Sequence, residues 1–81
     1  MAETIGKVTH YYDKLGVAIV KLDKVLKVGE EVHIKGATTD QAVSVDSMQY
    51  DHKDIEEGAA GQEVGIKVAD KVREGDAVTK G

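Results

Sequence analysis

The sequence predicts an all-β protein, a small closed six-stranded β-barrel rich in antiparallel pairing. The composition is β-branched, with twelve Val and five Ile against three Leu, and no Phe, Trp or Pro. Such side chains hold one χ1 rotamer and pack well on a pleated surface. No stretch keeps a 3.6-residue apolar period; short runs alternate apolar and polar residues instead. One pattern also returns three times, glycine–polar–variable–valine, at Gly29-Glu30-Glu31-Val32, Gly61-Gln62-Glu63-Val64 and Gly75-Asp76-Ala77-Val78. The glycine supplies the positive φ that ends a turn, and the valine begins the inward row of the next strand. Short strands with glycine turns at this spacing close into a barrel, which leaves no exposed edge.

The 81 residues form one domain, 1–81, too short for a second core. Extended segments are expected roughly over 3–12, 15–23, 31–36, 41–51, 63–69 and 76–80. Asp13-Lys14 joins the first two as a tight hairpin. In the first, adjacent Tyr11 and Tyr12 point to opposite faces, so at least one is exposed near the hairpin tip. In the second, Val17, Ala18, Ile19, Val20 and Leu22 make both faces apolar, as a covered central strand or as one whose outer strip awaits a partner. The third alternates Val32 and Ile34 with His33 and Lys35. In the fourth, Val43 and Val45 are out of phase with Met48 and Tyr50, and a bulge near Asp46-Ser47 would return both pairs to the core. Val64, Ile66 and Val68 form the inward row of the fifth. Only Asp54–Ala60 could hold a helical turn, which Gly58 would end early.

Composition excludes several classes of function. Without cysteine there is no disulfide framework and no thiolate zinc site. The longest uncharged apolar stretch, Leu15–Val20, is far too short to span a bilayer. The opening Met-Ala-Glu-Thr lacks a basic-then-apolar signal pattern, and a cytoplasmic location is expected. Net charge is −4 with a single arginine, a poor basis for general nucleic-acid binding. Lys14, Lys21, Lys24, Lys27 and Lys35 nevertheless bunch in the first half. Lys21, Lys24 and Lys27 could form a basic face opposite Asp51, Asp54, Glu56 and Glu57.

Catalytic chemistry is weakly supported. His10, His33 and His52 share no ligand-like spacing, so no metal is expected. Ser44 and Ser47 lie in no nucleophile elbow. Asp46 and Asp51 have no evident desolvated pocket to split their pKa values. The expectation is a protein that is not an enzyme and takes no cofactor.

Three motifs, in order, carry a family resemblance. Residues 25–36, VLKVGEEVHIKG, are similar to the turn-and-strand signature of the second domain of elongation factor Tu and related translational GTPases. Residues 56–68, EEGAAGQEVGIKV, and 72–78, VREGDAV, resemble later segments of that domain. The resemblance covers nearly the whole chain and implies its six-stranded barrel. It also implies that Val25, Leu26, Lys27 and Glu57 match positions near the terminal adenosine of aminoacylated tRNA. The P-loop of that family is absent, so GTP is not a ligand. Similar barrels also resemble the terminal domain of some collagenase-like peptidases, where they look like accessory modules.

Two functional readings follow. In the first, a non-catalytic, translation-factor-like module engages RNA or a ribosome-associated protein through His10, Tyr11, Tyr12, Lys14, Lys21, Lys24, Lys27 and Glu57. In the alternative, an accessory domain docks on a separate enzyme such as a collagenase-like peptidase through the apolar strip of Val17 and Ile19. Neither reading places the chain at a membrane.

Overall fold

A computed structural model describes residues 3–37, 39–51, 53–68 and 71–80. The protein is all-β. Among the described residues ten strands run in chain order: β1 (Glu3–Tyr12), β2 (Val17–Leu22), β3 (Leu26–Lys27), β4 (Glu31–Lys35), β5 (Asp40–Ser44), β6 (Met48–Tyr50), β7 (Lys53–Ile55), β8 (Glu57–Gly58), β9 (Glu63–Lys67) and β10 (Ala77–Lys80). Eight form one curled sheet in the order β5-β4-β10-β1-β2-β9-β6-β7, and β3 pairs with β8 as a separate ribbon.

This corrects the expected closed six-stranded barrel, because the sheet stays open between its end strands β5 and β7. The reason lies in residues 41–51, expected as one bulged strand. β5 pairs with β4 at one end of the sheet, whereas β6 pairs with β9 and β7 at the other. Residues 45–47 between them bridge the two ends covalently. Val45 donates to the carbonyl of Glu30 and accepts from the amide of Gly29, so it belongs to a turn contact there. Val43, Val45 and Met48 reach the core, but Tyr50 stays exposed.

The helical turn expected over 54–60 is likewise absent. Ile55 pairs with Met48 and Gly58 with Leu26. Gly58 is buried because a Cβ there would lie 2.7 Å from Leu22 Cδ1 and 3.1 Å from Met48 Sδ.

The recurring glycine motif behaves uniformly. Gly29, Gly61 and Gly75 have φ of 98°, 88° and 91°, the left-handed region that glycine enters without a Cβ clash. Val32, Val64 and Val78, three residues on, are all buried. The core is the concave side of the sheet, where the inward rows of β2 (Ala18, Val20, Leu22) and β9 (Val64, Ile66) meet Ile5, Val8, Ile34 and Met48.

Candidate functional site

The outer face of β2 is the least expected surface of the fold. Val17 and Ile19 point away from the core yet are only half exposed. What surrounds them follows from register. Val8 pairs with Val20, but the register then slips, so His10 pairs with Ile19, Tyr11 with Ala18 and Tyr12 with Val17. The slip at Thr9 is a bulge, and one extra residue reverses the facing of everything after it. Without it His10 and Tyr12 would follow Val8 into the core. With it, Tyr11 turns inward and packs against the core, while His10 and Tyr12 join Ile19 and Val17 outside.

The β1–β2 connection adds a further apolar group. It is a four-residue loop, Asp13–Gly16, rather than the expected two-residue hairpin. The amides of Leu15 and Gly16 both donate to the carbonyl of Tyr12, at 3.2 and 2.9 Å, and Gly16 has φ of 65°. The loop holds Leu15 two-thirds exposed. On the other flank β9 pairs with β2, setting Gly65 opposite Ile19 and Glu63 opposite Lys21. Beyond β9, Gln49 pairs with Gly65.

These groups line a groove of about 310 Å³, with Tyr12, Leu15, Val17, Ile19 and Gly65 as its apolar bed and Gln49, Asp51 and Glu63 at its rim. The rim is partly fixed. Gln49 Nε2 donates to Asp54 Oδ1 at 3.0 Å. Thr9 Oγ1, freed by the bulge, lies 3.2 Å from Glu63 Oε2 and 3.3 Å from the Ile19 carbonyl, so one proton serves two acceptors. His10 Nδ1 lies 3.0 Å from Glu74 Oε2, and its ring stacks on Tyr12 at 5.9 Å between centroids and 28° between planes. The stack holds Tyr12 at the edge of the bed.

The sequence-predicted residues therefore separate into groups. His10, Tyr12, Val17 and Ile19 gather at this one surface, with Lys14 in the adjoining loop. Lys21, Lys24 and Lys27 do not share a face: Lys21 stands opposite Glu63, Lys24 pairs with Glu3, and Lys27 stands opposite Glu57 in the ribbon. Exposed Val25 lies beside that ribbon, and Leu26 is buried. Leu15, Gln49, Asp51, Glu63 and Gly65 were not predicted as groove residues. The one available signal was Gly65 inside an otherwise regular strand, since a mid-strand glycine marks a close approach or a bulge.

Elsewhere, charged groups are structural. Lys80 is paired with Glu30 and holds its carboxyl below the usual range, helped by the Lys27 amide at 2.9 Å. His33 binds Asp40 and lowers its carboxyl in the same way. No group of three or more His, Asp or Glu capable of holding a metal occurs among the described residues; His52 lies outside them. Among the described residues, no helix is long and apolar enough to cross a membrane.

No protein-family model matches the chain. Its sequence is 44% identical over 75 residues to an uncharacterized protease of Methanocaldococcus jannaschii, covering 91% of this chain and 18% of that protein. A collagenase of Porphyromonas gingivalis is 34% identical over 74 residues, covering 89% of this chain and 20% of the collagenase. The chain thus spans about a fifth of the length of these relatives. In structure it matches the C-terminal domain of a candidate U32 peptidase of Geobacillus thermoleovorans. The TM-score is 0.91 at 20% identity, over 96% of this chain and 99% of that domain. A second structure of the same domain gives 0.87 at 19%, over 94% and 89%. These likenesses run to proteases and a peptidase's terminal domain. They correct the reading of the chain as a relative of the second domain of elongation factor Tu, and with it the expectation of an RNA-engaging, translation-factor-like module.

Proposed function

We propose that this chain is an accessory, non-catalytic domain of a collagenase-like peptidase system and docks on the peptidase body through the outer face of β2. Two named relatives are a protease and a collagenase, and most of each lies outside the region this chain matches. In this reading that unmatched remainder carries the peptidase chemistry and this domain supplies a surface. The observation that carries the proposal is the groove itself. Apolar groups from β1, the Asp13–Gly16 loop and β2 converge on the convex side of a sheet whose core lies on the other side. An exposed apolar cluster rimmed by polar groups marks an interaction surface.

The test uses the 81-residue chain as bait in lysate of its own cells, with captured proteins identified by mass spectrometry. A collagenase-like peptidase should be retained through nuclease treatment and through about 1 M salt, since apolar contacts are not screened as exposed charge pairs are. Ile19→Lys should release it while the circular dichroism spectrum stays native. Failure to capture such a peptidase, or its full retention by folded Ile19→Lys, overturns the proposal.

A further inference from the structure

The groove is chemically lopsided. Its bed is apolar, and the two charged groups in its lining, Asp51 and Glu63, are both acidic. They also belong to the same end. β6 and β9 pair Gln49 with Gly65; Glu63 lies two residues before Gly65 on β9, and Asp51 lies two residues beyond Gln49, in the turn that follows β6. Tyr12 and Leu15 belong to the opposite end, where Tyr12 stands across from Val17.

We infer that this groove receives an arginine or lysine side chain from the docking partner, its methylene stem lying on the bed and its cation reaching the Glu63–Asp51 end. The inference rests on the reading that the outer face of β2 is the docking surface, and it names what that surface recognises. Long basic side chains cover apolar surface with their stems while their heads stay at a polar rim. Carboxylates in the groove's lining suit such a head, because charge-assisted hydrogen bonds are the stronger kind. A neutral apolar side chain would fill the bed but desolvate both acids without a partner, and an anion would be repelled by them.

Three features of the chain agree. Neither acid forms an ion pair among the described residues; Lys21, although opposite Glu63 in register, makes none with it. Glu63 is instead steadied by the Thr9 hydroxyl, a neutral donor. Gly65 keeps the floor low: a Cβ there would stand 3.2 Å from Val17 Cγ1 and 3.3 Å from Ile19 Cδ1, so any side chain would crowd the bed where the stem is to lie.

The test needs no identified partner. The chain, labelled with nitrogen-15, is titrated with acetyl-Leu-Arg-Leu-amide and with the same peptide carrying citrulline, which keeps the shape of arginine without its charge. The arginine peptide should shift the amides of Ile19, Glu63 and Gly65 saturably, and citrulline should bind about 5–10-fold more weakly, the size of one charge-assisted contact at a half-exposed site. Glu63→Gln should abolish that preference, and Lys21→Gln should increase it. Equal binding of the two peptides, shifts confined to another surface, or no saturation by about 10 mM, well above a millimolar dissociation constant, each overturn the inference. A preference for arginine in the groove, with no peptidase captured from lysate, would retain this inference and remove the peptidase reading. Capture of a peptidase that depends on Ile19 but not on Glu63 or Asp51 would do the reverse.

Discussion

The two faces of β2 are built from similar residues and serve different ends. Ala18, Val20 and Leu22 face inward and are wholly buried, while Val17 and Ile19 face outward and remain half exposed. Both rows come from one six-residue run, Val-Ala-Ile-Val-Lys-Leu, and period-two alternation sorts them without any change of chemistry. The inner row is closed over by neighbouring strands. The outer row stays open between Tyr12, which the β1 bulge turns outward, and Gly65 of β9, which adds no side chain beside it. Hydrophobicity alone therefore does not separate scaffold from surface here; register does.

Substitutions that respect this division should give opposite phenotypes. The largest effect belongs to the inner face. Leu22→Ala should cost about 2–5 kcal/mol, as cavity-forming core changes do. A domain of this size holds only about 3–5 kcal/mol, so thermal denaturation should show it largely unfolded near 37 °C. Next comes the outer face. Ile19→Lys should leave thermal stability within about 1 kcal/mol, since the lysine stem can lie where isoleucine lay, yet abolish partner capture. A folded Leu22→Ala protein that loses the partner at low temperature, or an Ile19→Lys protein that unfolds, would break the comparison.

Much of the fold is legible in the sequence, and the exceptions have identifiable causes. The all-β class, the strand entries at Val32, Val64 and Val78, and the doubly apolar β2 follow from composition and spacing. The bulge at Thr9 has no local signature, because bulges answer to the partner strand, and it decides which tyrosine is buried. The break between β5 and β6 shows in the sequence as a phase conflict at Asp46-Ser47, which a bulge within one strand would explain equally well. Local pattern cannot show that the two halves pair with strands at opposite ends of the sheet. The β3–β8 ribbon is too short to carry a period. For the site, Val17 and Ile19 are readable as an apolar strip, and the Tyr11-Tyr12 pair as a source of at least one exposed aromatic, without showing which. Asp51, Glu63 and Gly65 join them only through long-range pairing.

A smaller effect is expected at Gly65, which sharpens the comparison because it touches the outer face without adding charge. In Gly65→Ala the new methyl would press on Val17 and Ile19 at 3.2 and 3.3 Å. Those side chains have open groove to move into, and alanine is the better residue for a strand interior. Stability should change by less than about 1 kcal/mol, within the range of surface substitutions, while groove occupancy in the peptide titration falls. An unchanged titration would mean that the bed tolerates a raised floor and that Gly65 serves the strand alone.

The smallest effect lies off both faces and provides the control. Glu30 caps the turn before β4 through the Lys27 amide and pairs with Lys80 on β10, which holds its carboxyl below the usual value of 4.5. A carboxyl whose folded pKa is depressed contributes stability that is present above its unfolded pKa and is lost as pH falls through the folded one. Between pH 7 and 5 the wild-type chain should exceed Glu30→Gln by less than about 1 kcal/mol, the usual size for a partly exposed pair. The two proteins should converge as pH drops below 4.5 and Glu30 takes up its proton. Glutamine keeps an oxygen for the Lys27 amide, so the difference reports the charge and not the cap. Because neither face of β2 is touched, peptide binding at neutral pH should match wild type. A Glu30→Gln chain that loses groove binding would show that the outer face depends on the far side of the sheet, and that the two faces of β2 are not separable.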